Sequence, residues 1–174
     1  MSSKNQSGFR PPTRQILQSP VHLLAFGGVA GLSPVGPGTL GTMVGVAVWW
    51  VLSWLPIIPY AVVVALLFVL GCWICGRSAK LIGVHDYGGI VFDEIVGFLI
   101  TATPLLESLH WRSGVLWPWL LAAFLLFRGF DIVKPPPIRW LDRHVGGGFG
   151  IMLDDAVAAI PAALILIIAL RIVG

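Results

Sequence analysis

Charged residues are scarce in this sequence of 174 residues. Lysine, arginine, aspartate and glutamate together make up 11% of the chain, whereas about a quarter of a typical soluble domain is charged. Hydrophobic residues account for 57%, and the mean hydropathy is +0.91. So few charges cannot coat a water-facing surface. The shortage excludes an ordinary soluble domain and predicts that most of the surface faces lipid.

Cysteine is scarce as well, since Cys72 and Cys75 are the only two. Two cysteines provide no disulfide framework. Their C-x-x-C spacing has no second cysteine pair or nearby histidine to complete a metal or redox site. The pattern therefore favours two small residues on one face of a buried helix.

Long apolar runs dominate what remains, and five of them stand out: Thr42–Leu55, Tyr60–Gly76, Ile90–Leu106, Val115–Val133 and Ile151–Val173. A helix needs about 20 apolar residues to cross a bilayer, and only the last run looks full length. We therefore predict an all-α fold, an integral membrane helical bundle of about five short or tilted transmembrane helices. Residues 1–20 are predicted to be a polar tail. One membrane-embedded domain is predicted over 21–174, and Val21–Leu32 is predicted to be a re-entrant or interfacial helix.

The basic residues lie in short segments between these runs. Cytoplasmic loops of membrane proteins carry an excess of lysine and arginine. In this sequence, segments rich in lysine and arginine alternate with segments that contain few of them. Five spans with a cytoplasmic N-terminus place eight cations on one side: Lys4, Arg10, Arg14, Arg77, Lys80, Lys134, Arg139 and Arg143. This distribution favours contacts with anionic lipid head groups rather than with nucleic acid. It also places the motifs described below on the cytoplasmic side.

Six of the eight acidic residues lie in or beside apolar runs: Asp86, Asp93, Glu94, Asp131, Asp154 and Asp155. A carboxylate in apolar surroundings is costly unless it pairs, protonates or binds a cation. Arg128 and Lys134 can serve Asp131 but cannot neutralise the rest. Oxygen ligands suit Mg²⁺, which leaves coordination places for a phosphate. A structural ion-pair network, or acids favoured by a helix N-terminus at Asp154 and Asp155, is the alternative.

A basic segment, Lys134-Pro-Pro-Pro-Ile-Arg-Trp-Leu-Asp-Arg-His144, precedes the glycine-rich residues 145–150. Arg139 and Arg143 are four residues apart, so a short helix would present both on one face. A guanidinium group can donate two parallel hydrogen bonds to the oxygens of one phosphate. The segment predicts a phosphate-binding loop, with a positively charged membrane anchor as the alternative.

A second turn, Gly31-Leu-Ser-Pro-Val-Gly-Pro-Gly-Thr-Leu-Gly41, carries hydroxyl groups at Ser33 and Thr39. It is either a phosphate-facing loop or a helix start capped by Thr39. His85 and His144 each adjoin a charged motif, so each is either a phosphate contact or general acid or a structural residue.

Taken together, these motifs resemble the bacterial phosphatidylglycerophosphatase A family over roughly residues 20–159. The matching stretches are His22-Leu-Leu-Ala25, Gly31-Leu-Ser-Pro34, Pro37-Gly-Thr39, Gly83-Val-His-Asp86, Ile90-Val-Phe-Asp-Glu94, Phe127-Arg128, Asp131, Lys134-Pro135, Pro137-Ile-Arg-Trp140, Asp142-Arg143, Gly147-Gly148, Gly150-Ile-Met152 and Asp154-Asp155. The resemblance implies a Mg²⁺-dependent phosphatase of the bacterial inner membrane. It implies that phosphatidylglycerophosphate in the bilayer is cleaved to phosphatidylglycerol and phosphate.

We hypothesise that the six acids above are catalytic. Five of them would supply metal ligands or their surroundings: Asp93, Glu94, Asp131, Asp154 and Asp155. Phosphate binding is assigned to Lys134, Arg139, Arg143, His85, His144, Ser33 and Thr39. Attack by water and a covalent aspartyl-phosphate both stay open.

Two other classes compete with this hypothesis. Intramembrane acids also mark ion paths, so a cation transporter or channel is the main alternative. It would need polar residues along a whole span, whereas these acids crowd one end. A structural membrane subunit is the third possibility.

Overall fold

The computed structural model describes residues 11–84, 87–107 and 116–173. This part of the chain contains eight α-helices, two 3₁₀ helices and no β-strand. The α-helices are α1 Thr13–Gln18, α2 Pro20–Ala25, α3 Pro37–Leu52, α4 Ile57–Ile82, α5 Phe92–Thr101, α6 Leu116–Val133, α7 Ile138–His144 and α8 Gly147–Val173. The 3₁₀ helices are Ala30–Leu32 and Thr103–Leu106.

Three of these helices, α4, α6 and α8, are long and apolar enough to cross a membrane. A shorter apolar helix, α3, accompanies them. The predicted all-α membrane bundle is confirmed. The expectation that only the last run is full length is wrong, because α4 has 26 residues and α6 has 18. Pro118 does not shorten α6, because it lies in the first turn. The N–H groups of a first turn have no hydrogen-bond partner within the helix, so the N–H that proline lacks is not needed there.

The start of the chain contains two short helices. Part of the predicted polar tail forms α1, whose Ile16 is completely buried. The predicted interfacial helix over Val21–Leu32 is divided into α2 and a 3₁₀ turn. Gly27 and Gly28 have φ values of +55° and +74°, which end the helix between the two pieces.

Helix α5 lies at the centre of the bundle, between α3, α4 and α8. It has only 10 residues, and Ile95 to Leu99 are all buried. Its last carbonyls are therefore inside the protein, where they need donors. Trp49 Nε1 donates to Ala102 O at 3.1 Å, and the Tyr60 hydroxyl donates to Leu99 O at 2.7 Å. Side chains from α3 and α4 thus allow a helix to end in the middle of the bundle.

Helices α4 and α8 approach each other closely at two glycines. A Cβ on Gly148 would overlap the carbonyl oxygen of Cys72, and one on Gly76 would lie 3.0 Å from the nitrogen of Gly148. This contact brings the first turn of α8 beside the last turns of α4. As a result α4 and α6 end, and α5 and α8 begin, at the same end of the bundle.

Candidate active site

The acidic residues predicted from sequence converge at this end of the bundle. Asp93 and Glu94 lie in the first turn of α5, and Asp131 lies in the last turn of α6. Asp154 and Asp155 are the eighth and ninth residues of α8, which begins at Gly147 rather than at the predicted Ile151. They are therefore two turns inside the helix, so attraction to its N-terminus does not explain them.

Three of the acids are close enough to share one cation. One carboxylate oxygen from each of Asp93, Glu94 and Asp155 lies within 4.8 Å of the other two. Asp155 is 3% exposed and Asp154 is 6% exposed. Such proximity of buried carboxylates is unfavourable unless positive charge or protons compensate it.

Protein cations compensate only part of this charge. Among the described residues, Arg128 forms ion pairs with Asp131 and, at 3.9 Å, with Glu94. Lys134 Nζ donates to Asp154 Oδ2 and, at 3.0 Å, to Asp142 Oδ1. The acid cluster consists of five carboxylates: Asp93, Glu94, Asp131, Asp154 and Asp155. Two cations face these five groups, which leaves an excess of negative charge when all are ionised.

Two buried carboxylate oxygens are positioned for a further ligand. Within the described part of the chain, no hydrogen-bond donor reaches Glu94 Oε2 or Asp155 Oδ2. A buried oxygen without a donor is costly, and coordination of a cation removes that cost. The donor set consists of carboxylate oxygens only, which fits a hard cation such as Mg²⁺.

An open cavity of about 110 Å³ lies between the carboxylates of the acid cluster and Lys134. Its volume has room for several water-sized ligands at about 30 Å³ each. The charged residues that line it are Asp93, Glu94, Asp131, Lys134, Asp142, Asp154 and Asp155. The cavity therefore joins the acid cluster to a lysine that can neutralise an anion.

The backbone at Lys134 is held in an unusual conformation. Its φ is +44°, in the left-handed region that residues other than glycine seldom adopt.

The ammonium group of Lys134 stays charged although it is partly buried. Burial opposes the charge, but the carboxylates of Asp154 and Asp142 outweigh this effect and raise the pKa of Lys134 above its ordinary value. The lysine is therefore firmly positive at neutral pH, and its two partners hold the ammonium group at the cavity.

Gly38, the second residue of α3, contacts the cluster from the other side. A Cβ at this position would overlap Glu94 Oε1 and lie 3.1 Å from Arg128 Nη1. The glycine thus leaves space for the Glu94–Arg128 ion pair. The glycine-rich turn is visible in the sequence, but this contact is not.

The arginines of the basic segment lie on α7 and are exposed. Arg139 Nη2 donates to Val133 O at 3.1 Å. His144 stacks on Trp140 with 4.7 Å between the ring centroids, and its Nδ1 lies 2.8 Å from Trp140 O. Arg139, Arg143 and His144 do not line the cavity, so their predicted contact with phosphate stays a prediction.

The hydroxyl groups of the 31–41 turn are also outside the cavity lining. Ser33 Oγ donates to Val35 O at 2.7 Å and stabilises its own turn. The alternative that Thr39 caps α3 is wrong, because Gly36 occupies the N-cap with a φ of +56°. His85 and Asp86 lie outside the described residues.

Sequence patterns alone miss three contributors to the site. They do not pair Glu94 with Arg128, they leave Asp142 out of the acids that need compensation, and they give Gly38 no role. The i,i+3 spacing does indicate the Arg128–Asp131 pair. No local spacing could indicate the contacts of Glu94 or Asp142, because their partners come from other helices or turns.

His22 belongs to the matching motifs but lies away from the acids, on α2. It is 2% exposed, and its Nδ1 lies 2.8 Å from Ser78 Oγ on α4. Burial lowers the pKa of His22, which favours a neutral ring. This contact joins α2 to α4 and indicates a structural role.

Comparison with known proteins identifies the family. The phosphatidylglycerophosphatase A family profile matches residues 23–170. Phosphatidylglycerophosphatase A of Escherichia coli (strain K12) is 44% identical over 154 residues, which cover 88% of this chain and 86% of the relative. The protein of the same name from Haemophilus influenzae is 44% identical over 156 residues, covering 88% and 91%.

A more distant relative carries a different name. A Bacteroides thetaiotaomicron protein named "Putative phosphatidylinositol-3-phosphatase" is 31% identical over 159 residues, which cover 87% of this chain and 94% of the relative. No solved structure matches the chain. The resemblance inferred from the motifs is confirmed: the chain belongs to the phosphatidylglycerophosphatase A family, a family of phosphoric monoester hydrolases.

Proposed function

We propose that this chain is a Mg²⁺-dependent phosphatase that cleaves the terminal phosphate of phosphatidylglycerophosphate, giving phosphatidylglycerol and inorganic phosphate. The observation that carries the proposal is the cavity in which carboxylate oxygens and Lys134 face each other at one end of the apolar helices. The names of the two relatives at 44% identity support the choice of lipid.

Asp93, Glu94 and Asp155 are the residues that would hold the metal, because each offers an oxygen within 4.8 Å of the others. A bound Mg²⁺ would polarise the phosphate and make a coordinated water more acidic. The roles of the protein groups follow from their places around the cavity.

Lys134 is the group that binds the phosphate. Asp142 and Asp154 hold its ammonium group at the cavity, where it neutralises phosphoryl oxygens. Phosphoryl transfer depends mainly on such positioning and charge stabilisation.

Arg128 positions the acids instead of binding phosphate. Its contacts with Asp131 and Glu94 connect α6 to α5, which keeps the first turn of α5 at the cavity. In the route of direct attack by water, one of the remaining carboxylates takes the proton of the attacking water. Water then adds to phosphorus, the bond from phosphorus to the lipid oxygen breaks, and that oxygen gains a proton.

The place of the site suits a lipid substrate. Acyl chains can remain beside the exposed apolar surface of the long helices while the head group enters the cavity. This end of the bundle carries five basic residues, Arg77, Lys80, Lys134, Arg139 and Arg143. Such cations favour the cytoplasmic side of the inner membrane.

The transporter alternative gains no support from this arrangement. Helix α4 contains no acidic residue, and the acids of α6 and α8 lie near the end that holds the cavity. A path for cations through the membrane would need polar groups along its length.

Phosphate release by the purified protein tests the proposal. Phosphatidylglycerophosphate in mixed micelles is supplied with Mg²⁺ or with a chelator, and phosphatidylinositol-3-phosphate serves as the second lipid. We expect Mg²⁺-dependent release from the first lipid, reduced about 100-fold or more in Asp93→Asn. Glu107→Gln is the matched control, because Glu107 is exposed and does not line the cavity. Equal release by Asp93→Asn and the parent protein would sink the assigned site.

Incubation with radiolabelled substrate and rapid quenching separates the two routes of attack. Label retained on a carboxylate indicates an aspartyl-phosphate. Its absence at all times under turnover supports direct attack by water.

A further inference from the structure

A second groove lies at the same end of the bundle, outside the active-site cavity. It has a volume of about 380 Å³ and is lined by the last turns of α4 and the first residues of α8. Arg77 and Lys80 form its basic wall, and Trp73 and Leu81 form its apolar wall. It shares no lining residue with the cavity that holds Asp93 and Asp155.

The two cations have no acidic partner in the described part of the chain, where no carboxylate lies within 4.0 Å of either. They are three residues apart on α4, so they point from the same side of the helix. Both line the groove. No described carboxylate therefore neutralises their positive charge.

The groove continues into an apolar lobe. A neighbouring cavity of about 170 Å³ shares Gly76, Lys80 and Gly147 with it and adds Ala79, Gly83 and Val84. Trp73 is 58% exposed and Leu81 is 50% exposed at the mouth of the main groove. A ligand that fits must combine an anionic group with apolar chains.

The floor of the groove is rigid. Gly76 and Gly148 bring the backbones of α4 and α8 into contact, so the two helices cannot move apart without losing that packing. The first turn of the 27-residue helix α8 also adds the positive end of its dipole to the charge of Arg77 and Lys80.

We propose that this groove binds an anionic phospholipid as a resident lipid, with its phosphodiester between Arg77 and Lys80 and its acyl chains along Trp73 and Leu81. Basic pockets between membrane helices select anionic head groups in this way. The site is separate from catalysis, so the inference does not depend on which lipid the active site hydrolyses.

Lipid binding to the purified full chain tests the proposal. Dioleoyl phosphatidylglycerol and dioleoyl phosphatidylcholine are titrated separately, and retained lipid is counted by native mass spectrometry. All samples carry Asp155→Asn and contain a chelator, which removes turnover and the proposed metal. We expect one phosphatidylglycerol to bind roughly 30-fold more tightly than phosphatidylcholine, the preference that two interfacial cations provide.

The double variant Arg77→Gln/Lys80→Gln should lose this preference. The matched control Arg14→Gln/Arg171→Gln loses the same charge at exposed positions outside the groove and should keep it. An unchanged preference in the first variant, or an equal loss in the control, would overturn the proposal. Full displacement by millimolar inorganic phosphate would also overturn it, because the site would then be a phosphate site and not a lipid site.

Phosphate release is measured in parallel on the two double variants without the Asp155 change. Both should retain it in micelles that contain no other anionic lipid, since neither alters a residue of the cavity. If the protein without the groove changes shows no preference for phosphatidylglycerol but phosphate release is normal, the lipid-binding groove is rejected and the proposed activity is not. Absence of release in every variant and in the parent protein rejects the proposed activity alone.

Discussion

Lys134 and Asp154 form an ion pair that joins the turn after α6 to the third turn of α8. Asp154 is 6% exposed, and the ammonium group of this lysine compensates its negative charge. The pair thus links Lys134, the proposed phosphate-binding residue, to the acid cluster.

Replacement of Lys134 by methionine should reduce phosphate release by about 10²–10³-fold, because the cavity loses the cation that faces the phosphate. The buried carboxylate of Asp154 also loses this ion pair, so the melting temperature without metal should fall. Activity and thermal unfolding of the same preparation measure both effects. Arg14→Met removes an exposed cation on α1 and should change neither; a normal rate in Lys134→Met would contradict the assigned role.

The stability that the Lys134 pair supplies should be independent of pH across the neutral range. The pKa of the lysine is raised above its ordinary 10.5. A group with a raised pKa stabilises the fold fully below its unfolded pKa and loses this effect as the pH rises through the folded value. The difference in melting temperature between the parent protein and Lys134→Met should therefore be constant from about pH 6 to 9 and shrink only above about 10.5. A difference that disappears near neutral pH would show that the lysine is not paired as described.

Asp155→Asn should separate stability from activity. The acid cluster carries more negative charge than Arg128 and Lys134 neutralise, so removal of one buried charge should raise the melting temperature in a chelator. Added Mg²⁺ should stabilise the parent protein further. The same change removes a proposed metal ligand and should abolish that stabilisation. Unfolding curves with and without Mg²⁺ check both statements, and a parent protein that Mg²⁺ does not stabilise would argue against the metal site.

Gly38→Ala should lower activity without any change of charge. The new Cβ overlaps Glu94 Oε1 and crowds the guanidinium of Arg128, so the first turn of α5 must shift. A small displacement of catalytic groups costs up to about 100-fold in rate. Gly129→Ala is the matched control, because a Cβ there meets nothing within 4 Å and alanine favours a helix by roughly 0.5–1 kcal/mol. Equal activity of the two variants would show that Gly38 does not set the geometry of the site.

Much of the fold is predictable from the sequence because the bilayer limits the choices. A chain with 11% charged residues must expose apolar surface, and backbone groups in lipid must be paired within helices or closed barrels. Helix boundaries are less predictable. Helix α4 runs on through Arg77 and Lys80 to Ile82, because long basic side chains extend to water while their helix continues.

The candidate site is partly predictable for a similar reason. Carboxylates in apolar runs are costly, so the amino-acid sequence alone is enough to single out Asp93, Glu94, Asp131, Asp154 and Asp155. Their partners are not visible in it, since the pairing of Lys134 with Asp142 and Asp154, and of Arg128 with Glu94, depends on how α5, α6, α7 and α8 pack.

The sequence by itself therefore determined that lipid surrounds most of this protein, that its fold is helical, and which acids need a compensating positive charge. These properties follow from composition and hydropathy, which can be read from each segment separately. Only the tertiary structure decided which cation serves which acid, that Gly38 makes room for Glu94, and that Arg77 and Lys80 face a separate groove. Those relationships depend on distances between helices far apart in sequence, and glycine contacts and buried ion pairs set these distances only when the bundle is assembled.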